Sequence, residues 1–193
     1  VTLRRVPRIP PSFLTEAEKQ RLLKELRWRS STMAIRDRVV IELFLGTSIR
    51  LQELVDLDID DVDLDAKHLH VRTKGDVPQV KFLKFKLRFL LRGYLKERRR
   101  QGDGECQALF VSNRGTRFSK RQVARRLKRW VKAAEIEKQL TPHSLRHTFV
   151  THLYSRTSDI LVVQQASGTE ACLPIQIHTH LVDVVPEDAI ERL

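Results

Sequence analysis

Apolar residues recur at helical spacing along most of this chain and at strand spacing in one short region. Leu22, Leu23 and Leu26 share a helical face, and Thr15-Glu16-Ala17-Glu18 before them has the form of a capping box. A first helix is therefore expected to run to about Arg27. After the polar break Arg29-Ser30-Ser31-Thr32, a second helix turns Val39, Val40, Leu43 and Phe44 inward. Gly46-Thr47-Ser48 reads as a turn, and Leu51, Leu54 and Val55 resume helical spacing. The acidic residues 56–65 alternate with Leu57, Ile59, Val62 and Leu64 and lead into a short strand. Residues 68–74 alternate with period two, Gly75-Asp76 suits a turn, and residues 80–82 alternate again. The expected product is a β-hairpin or a small three-stranded sheet.

Helical spacing returns from Phe85 to Arg100 through Leu87, Leu90, Leu91, Tyr94 and Leu95. A loop at residues 101–104, a short apolar segment at 108–111 and a turn at Asn113-Arg114-Gly115 follow. Ser119 can cap a helix whose Val123, Leu127, Trp130, Val131 and Ala134 form one stripe. Thr141-Pro142 opens another helix, as N-cap and first helical position, with Leu145, Phe149 and Leu153 as an apolar stripe. A short helix is expected near residues 159–166, then a turn at Ser167-Gly168 and an irregular stretch through Pro174. A terminal helix is expected from Pro186. Residues 1–13, with three prolines and three arginines, read as an extended arm or linker, and residues 14–193 as one domain. The fold class is mainly α with a small antiparallel β-sheet.

Composition narrows the partner. Lys and Arg number 36 against 24 Asp and Glu, a formal charge of +12, which favours a polyanion, nucleic acid before membrane. No apolar run approaches the length that spans a bilayer. The charge has a local focus. From Lys120 to Ala134 no acidic residue occurs, while Lys120, Arg121, Arg125, Arg126, Lys128, Arg129 and Lys132 surround the apolar stripe. A solvated helix face ordinarily mixes both signs, so Lys120, Arg121, Arg125, Arg126 and Arg129 are candidates for contact with a DNA backbone. Aromatic residues make up 6% of the chain, few for an RNA reader that stacks bases. Cys106 and Cys172 form no CxxC pair and suggest neither a zinc site nor a disulfide.

The candidate chemistry centres on Leu140-Thr-Pro-His-Ser-Leu-Arg-His-Thr-Phe-Val-Thr-His-Leu153. His143 and Arg146, three apart, share a helical face. A guanidinium and an imidazole near a helix start can hold a phosphate. By itself His-x-x-Arg is a common accident on an amphipathic helix. The whole string, however, closely resembles the second-arginine box of the tyrosine recombinases, the phage-integrase family of site-specific DNA recombinases. Thr47-Ser48-Ile49-Arg50-Leu51-Gln52-Glu53-Leu54 resembles the first-arginine box, with Ser48 where the family usually has glycine. Standing alone, Arg50 and Glu53 would be an ordinary helical ion pair.

The resemblance implies a fold, a reaction and roles. Arg50, His143 and Arg146 would hold the scissile phosphate, with Glu53 in support. Lys74, on the hairpin, would protonate the leaving 5′-oxygen, with Lys81 as a weaker rival. Cationic side chains would offset the charge of a pentavalent transition state, with no metal or other cofactor. The implied reaction is DNA strand cleavage and rejoining through a covalent 3′-phosphoryl-enzyme. The implied partners are duplex DNA and further copies of the chain, in a tetramer joined through the C-terminal segment. A location in the prokaryotic cell interior or nucleoid would follow, and the arm resembles the linker to the family's N-terminal DNA-clamp domain, which these residues do not include.

Two further positions depart from the family pattern. Thr169 stands where a second histidine or a tryptophan is usual, and His178, in Gln176-Ile177-His178-Thr179-His180, stands where the tyrosine nucleophile is usual. Tyr94 lies in a helical apolar stripe, and Tyr154 lies too close to Arg146 to take that place. His178 could itself attack phosphorus, since imidazole is a competent nucleophile. Otherwise the chain is a DNA-binding relative of the recombinases that does not cut.

Overall fold

The computed structural model describes residues 12–29, 31–72, 78–100 and 106–167. The arm up to residue 11, Lys74 and the hairpin turn, Thr169, His178 and the helix expected from Pro186 lie outside the described residues. By its contacts the chain divides into two units, residues 1–149 and 150–193.

In the first unit α1 (Glu16–Arg27) begins at the expected capping box: the Thr15 hydroxyl accepts from the Glu18 N–H, and the Glu18 carboxylate accepts from the Thr15 N–H. Its leucines 22, 23 and 26 are buried. The second helix, α2 (Thr32–Thr47), is apolar on several sides and buries Val39, Val40, Leu43 and Phe44. Gly46 and Thr47 still belong to it, so the expected turn narrows to Ser48, which ends the helix in the left-handed conformation at φ 57°. Next come α3 (Leu51–Asp56), a 3-10 turn at Ile59–Asp61, and three antiparallel strands in the order β1 (Val62–Asp63), β2 (His68–Arg72) and β3 (Pro78–Phe82). The register of the longer pair sets Leu69 opposite Lys81 and Val71 opposite Gln79.

Helix α4 (Phe85–Arg100) lies against α2 with Leu87, Leu91 and Tyr94 buried, and the Tyr94 hydroxyl donates to the Leu109 carbonyl at 3.1 Å. The apolar segment near residue 110 forms isolated bridges, Asp58 with Ala108 and Val111 with Arg117, in place of a strand. Arg98 at the end of α4 donates to the carbonyls of Cys106, Ala108 and Leu109 and holds that segment without a ladder. Helix α5 (Lys120–Ala133) starts at Ser119, with Gln122 completing a capping box. It buries Val123, Leu127, Trp130 and Val131, as its stripe predicts.

Helix α6 (Pro142–Thr157) starts where Thr141-Pro142 places it, the Thr141 hydroxyl accepting from the Ser144 N–H. Its burial differs from the expected apolar stripe. Leu145 is fully buried but Phe149 is half-exposed, and the polar Ser144, Arg146, His147 and Thr148 are buried around it. Thr148 explains part of this, since its hydroxyl accepts the Leu14 N–H at 2.9 Å and donates to the Ser144 carbonyl at 2.8 Å. In the second unit the described residues are the end of α6 and α7 (Ile160–Ser167), whose Asp159 carboxylate accepts from the Leu161 N–H at 2.8 Å. No helix among the described residues is long and apolar enough to cross a membrane.

Candidate functional site

Arg50 lies at the join between α2 and α3. The left-handed Ser48 turns the chain sharply, so Arg50 becomes the N-cap of α3. Glu53 then clamps it twice. One carboxylate oxygen accepts the Arg50 N–H at 2.7 Å, and the other accepts its guanidinium at 2.7 Å. Glu53 is buried while the Arg50 side chain is about two-fifths exposed, so the carboxylate fixes the arginine from beneath. The far end of α3 is held as firmly. Arg117 donates to the carbonyls of Val55 and Leu57 at 3.0 and 3.1 Å and pairs with Asp58 at 2.6 Å. A cation on the last carbonyls of a helix complements their partial negative charge.

Arg146 comes to the same place from α6. Its guanidinium donates to the main-chain carbonyl of Ser48, linking the two arginine boxes directly. It is 9% exposed, and its pKa falls to about 10, first through burial and then through repulsion from Arg50, with Glu53 opposing. Lys81, on the inner face of β3, is 5% exposed. Its pKa falls to about 8, chiefly through burial and further through Arg146 and Arg50, again opposed by Glu53. Arg50, Glu53, Lys81 and Arg146 thus form one electrostatic cluster with three cations and one carboxylate. Cations gathered in this way can hold a singly charged phosphodiester.

The site residues anticipated from sequence fall into three groups. Arg50, Glu53 and Arg146 converge. His143 stands one turn before Arg146 on α6 and is exposed. Lys74, Thr169 and His178 lie outside the described residues. Lys81, the lesser of the two lysine candidates, lies in the cluster.

The basic helix is more differentiated than its composition suggested. Lys120, Arg121, Arg125 and Arg129 are exposed. Arg126 instead donates from Nε to the buried Asp37 at 2.5 Å, where the Trp130 indole also donates at 2.8 Å and Arg36 pairs at 3.0 Å. Arg126 therefore helps fasten α5 to α2. Beside it a cleft of about 720 Å³ is lined by Asn113, Arg114, Arg121, Gln122, Arg125 and Arg126 among others. Neither Asp37 nor Arg117 stood out in the sequence, because Trp130 and Arg126, which Asp37 holds, and Val55, Leu57 and Asp58, which Arg117 holds, are distant in the chain. Among the described residues no group of three or more His, Cys, Asp and Glu is arranged to hold a metal ion.

Comparison with known proteins agrees with this geometry. The Phage integrase family matches residues 12–183. The tyrosine recombinase XerC of Vibrio vulnificus is 39% identical over 150 residues, covering 77% of this chain and 47% of the relative. XerC of Natranaerobius thermophilus is 33% identical over 177 residues, covering 89% and 58%. The chain thus spans about half the length of these curated relatives. Among solved structures, the XerA recombinase superposes with a TM-score of 0.75 at 30% identity, over 97% of this chain and 66% of that one. The XerH site-specific recombinase, bound to a palindromic difH substrate after cleavage, gives 0.76 at 25% identity, over 95% and 52%. Two arginine boxes joined through Ser48, a three-stranded sheet beside them and these matches lead to one conclusion: the chain belongs to the phage integrase family and is a tyrosine recombinase catalytic domain.

Proposed function

We propose that this domain binds duplex DNA and seats a backbone phosphate between Arg50 and Arg146, as a site-specific recombinase does before strand cleavage. The observation that carries this reading is the convergence of the two arginines on the Ser48 turn, where Glu53 fixes Arg50 from beneath. His143 would add a hydrogen bond from the start of α6. Lys74 would serve as the proton donor to the leaving 5′-oxygen, delivered by the hairpin. The exposed cations Lys120, Arg121, Arg125 and Arg129 would track the backbone beyond the pocket. XerH binds its difH substrate, and this chain would likewise take duplex DNA, as a homo-oligomer joined through its C-terminal segment.

The covalent step depends on the nucleophile. In a 3′-phosphoryl-enzyme mechanism an enzyme nucleophile, a phenol oxygen or an imidazole nitrogen, bonds to phosphorus, the bond to the 5′-oxygen breaks, and a general acid supplies that oxygen with a proton. By the sequence resemblance, His178 would stand at the family's tyrosine position. This favours a second reading, in which the domain holds DNA without cutting it. Denaturing gels of nicked duplex DNA incubated with the native chain, His178→Ala and His178→Tyr separate the two. Adduct from the native chain that disappears in His178→Ala makes His178 the nucleophile. Adduct from His178→Tyr alone identifies a cleavage pocket without its nucleophile, and a native protein that binds.

A further inference from the structure

Helix α4 turns two phenylalanines and a row of cations to solvent. Leu87, Leu91 and Tyr94 take its buried side. Phe85, Phe89, Arg92, Lys96 and Arg99 follow one another at steps of three or four residues and share the opposite side. All five are exposed, Phe85 at 77% and Phe89 at 72%. The stripe runs about 21 Å along the helix, aromatic at its start and basic at its end. Aromatic residues are only 6% of the chain, yet the most exposed phenylalanines among the described residues all lie between Phe82 and Phe89. Single exposed apolar side chains are ordinary, whereas two large rings one turn apart mark a binding face.

The charge around the rings indicates the partner. The only acid in α4 is Glu97, half-buried on the flank of the stripe. Arg92 meets Asp65 at 3.9 Å, a contact between two exposed side chains that is worth little in water. Arg88 lies over the Phe85 ring, 5.6 Å from its centroid, and reaches the Leu64 carbonyl at 3.5 Å, so the ring is oriented by a side chain anchored next to β1. A wet ring suits a partner with a flat apolar face, and the cations beyond it suit a partner with negative charge. An unpaired nucleic-acid strand offers both, with bases as π-faces and a phosphate at each step. In a duplex the base faces are covered by their stacked neighbours.

We propose that the exposed face of α4 is a second nucleic-acid site, which takes an unpaired strand by stacking bases on Phe85 and Phe89 and pairing phosphates with Arg92, Lys96 and Arg99. It shares no residue with the pocket between Arg50 and Arg146 and does not depend on the reading of that pocket.

The test measures binding of the full chain to oligodeoxythymidylate, to oligouridylate and to an abasic deoxyribose-phosphate strand of equal length, over a salt series, with a mixed-sequence duplex as reference. Two variants are compared with the native chain. Phe85→Leu with Phe89→Leu keeps apolar bulk and removes the π-faces, and Arg92→Gln with Lys96→Gln removes charge. These side chains are exposed, and thermal melts check that folding is unchanged. Each stacked base is worth about fivefold or more, so the native chain should prefer a base-bearing strand to the abasic one by at least about twentyfold. The leucine variant should lose that preference and keep its affinity for duplex. The glutamine variant should keep the preference and bind both kinds of single strand more weakly, with a smaller salt slope. Thymidylate or uridylate meeting these expectations supports the site, and the tighter of the two identifies the strand as DNA or RNA. Equal affinity for abasic and base-bearing strands, or an unchanged preference in the leucine variant, would overturn the proposal. Self-association of the native chain that the leucine variant loses, without any preference for bases, would assign the face to a protein partner and overturn it as well.

Discussion

The guanidinium of Arg146 donates to the main-chain carbonyl of Ser48, two positions before Arg50. This one bond joins residues 98 apart in sequence and makes the shape of the Ser48 turn part of the site. The turn carries a cost. Ser48 has φ 57°, a conformation that disfavours a Cβ, and its fully buried hydroxyl has no partner. Ser48→Gly removes both penalties and keeps the carbonyl. It should stabilise the domain by about 1 kcal/mol, read by urea denaturation with an unchanged m-value. A clear loss of stability would contradict this account of the turn.

Asp37 gives the opposite result. Its buried carboxylate accepts from Arg36, Arg126 and Trp130 and ties α2 to α5. Asp37→Ala leaves the buried Arg36 guanidinium without its carboxylate and should cost about 3–5 kcal/mol in chemical denaturation. Arg126→Gln should also lower stability, because that side chain serves the same joint.

Stability should rise with pH in the range where Lys81 titrates. Its folded pKa of about 8 lies below the value of 10.5 for an unperturbed lysine. Between these values the unfolded chain holds the proton that the folded chain has released, so raising the pH favours folding. Below pH 8 the charged lysine costs folding on the order of 3 kcal/mol at most. Lys81→Met should therefore be more stable than the native chain near neutral pH, with the advantage shrinking towards pH 10. Parallel curves for the two proteins would contradict the burial cost assigned to Lys81.

The exposed cations of α5 should act through salt. Single glutamine substitutions at Lys120, Arg121, Arg125 or Arg129 should each lower the slope of log affinity against log salt by about one where the residue meets a phosphate. Equilibrium binding at several salt concentrations checks this, and an unchanged slope would remove that residue from the DNA-facing surface.

Most of the framework was legible in the sequence because local signals agreed. Capping boxes at Thr15 and Ser119, Thr141-Pro142 and the stripes of α1, α4 and α5 each place a helix from neighbouring residues alone. The two arginine boxes were legible as motifs, and Arg50, Glu53 and Arg146 do converge. What local pattern could not supply was the pairing across distance. Arg117 at the end of α3, Asp37 beneath α5 and Arg146 on the Ser48 carbonyl are all long-range polar contacts with no periodic signature. Period two correctly placed β3, yet it could not reveal that Lys81 rather than Val80 faces inward. That phase is set by register with β2.

The most direct measurement of the central claim is the affinity of the full chain for duplex DNA across a salt series, for the native protein, Arg50→Ala and Arg146→Ala. Thermal melts would confirm that each variant is folded. If the two arginines seat a backbone phosphate, both variants bind more weakly at every salt concentration. Removing one charge-assisted phosphate contact should cost at least about tenfold, with a salt slope smaller by about one. Folded variants with native affinity and native salt slope would contradict the pocket, and with it the reading of this domain as one that holds DNA for strand exchange.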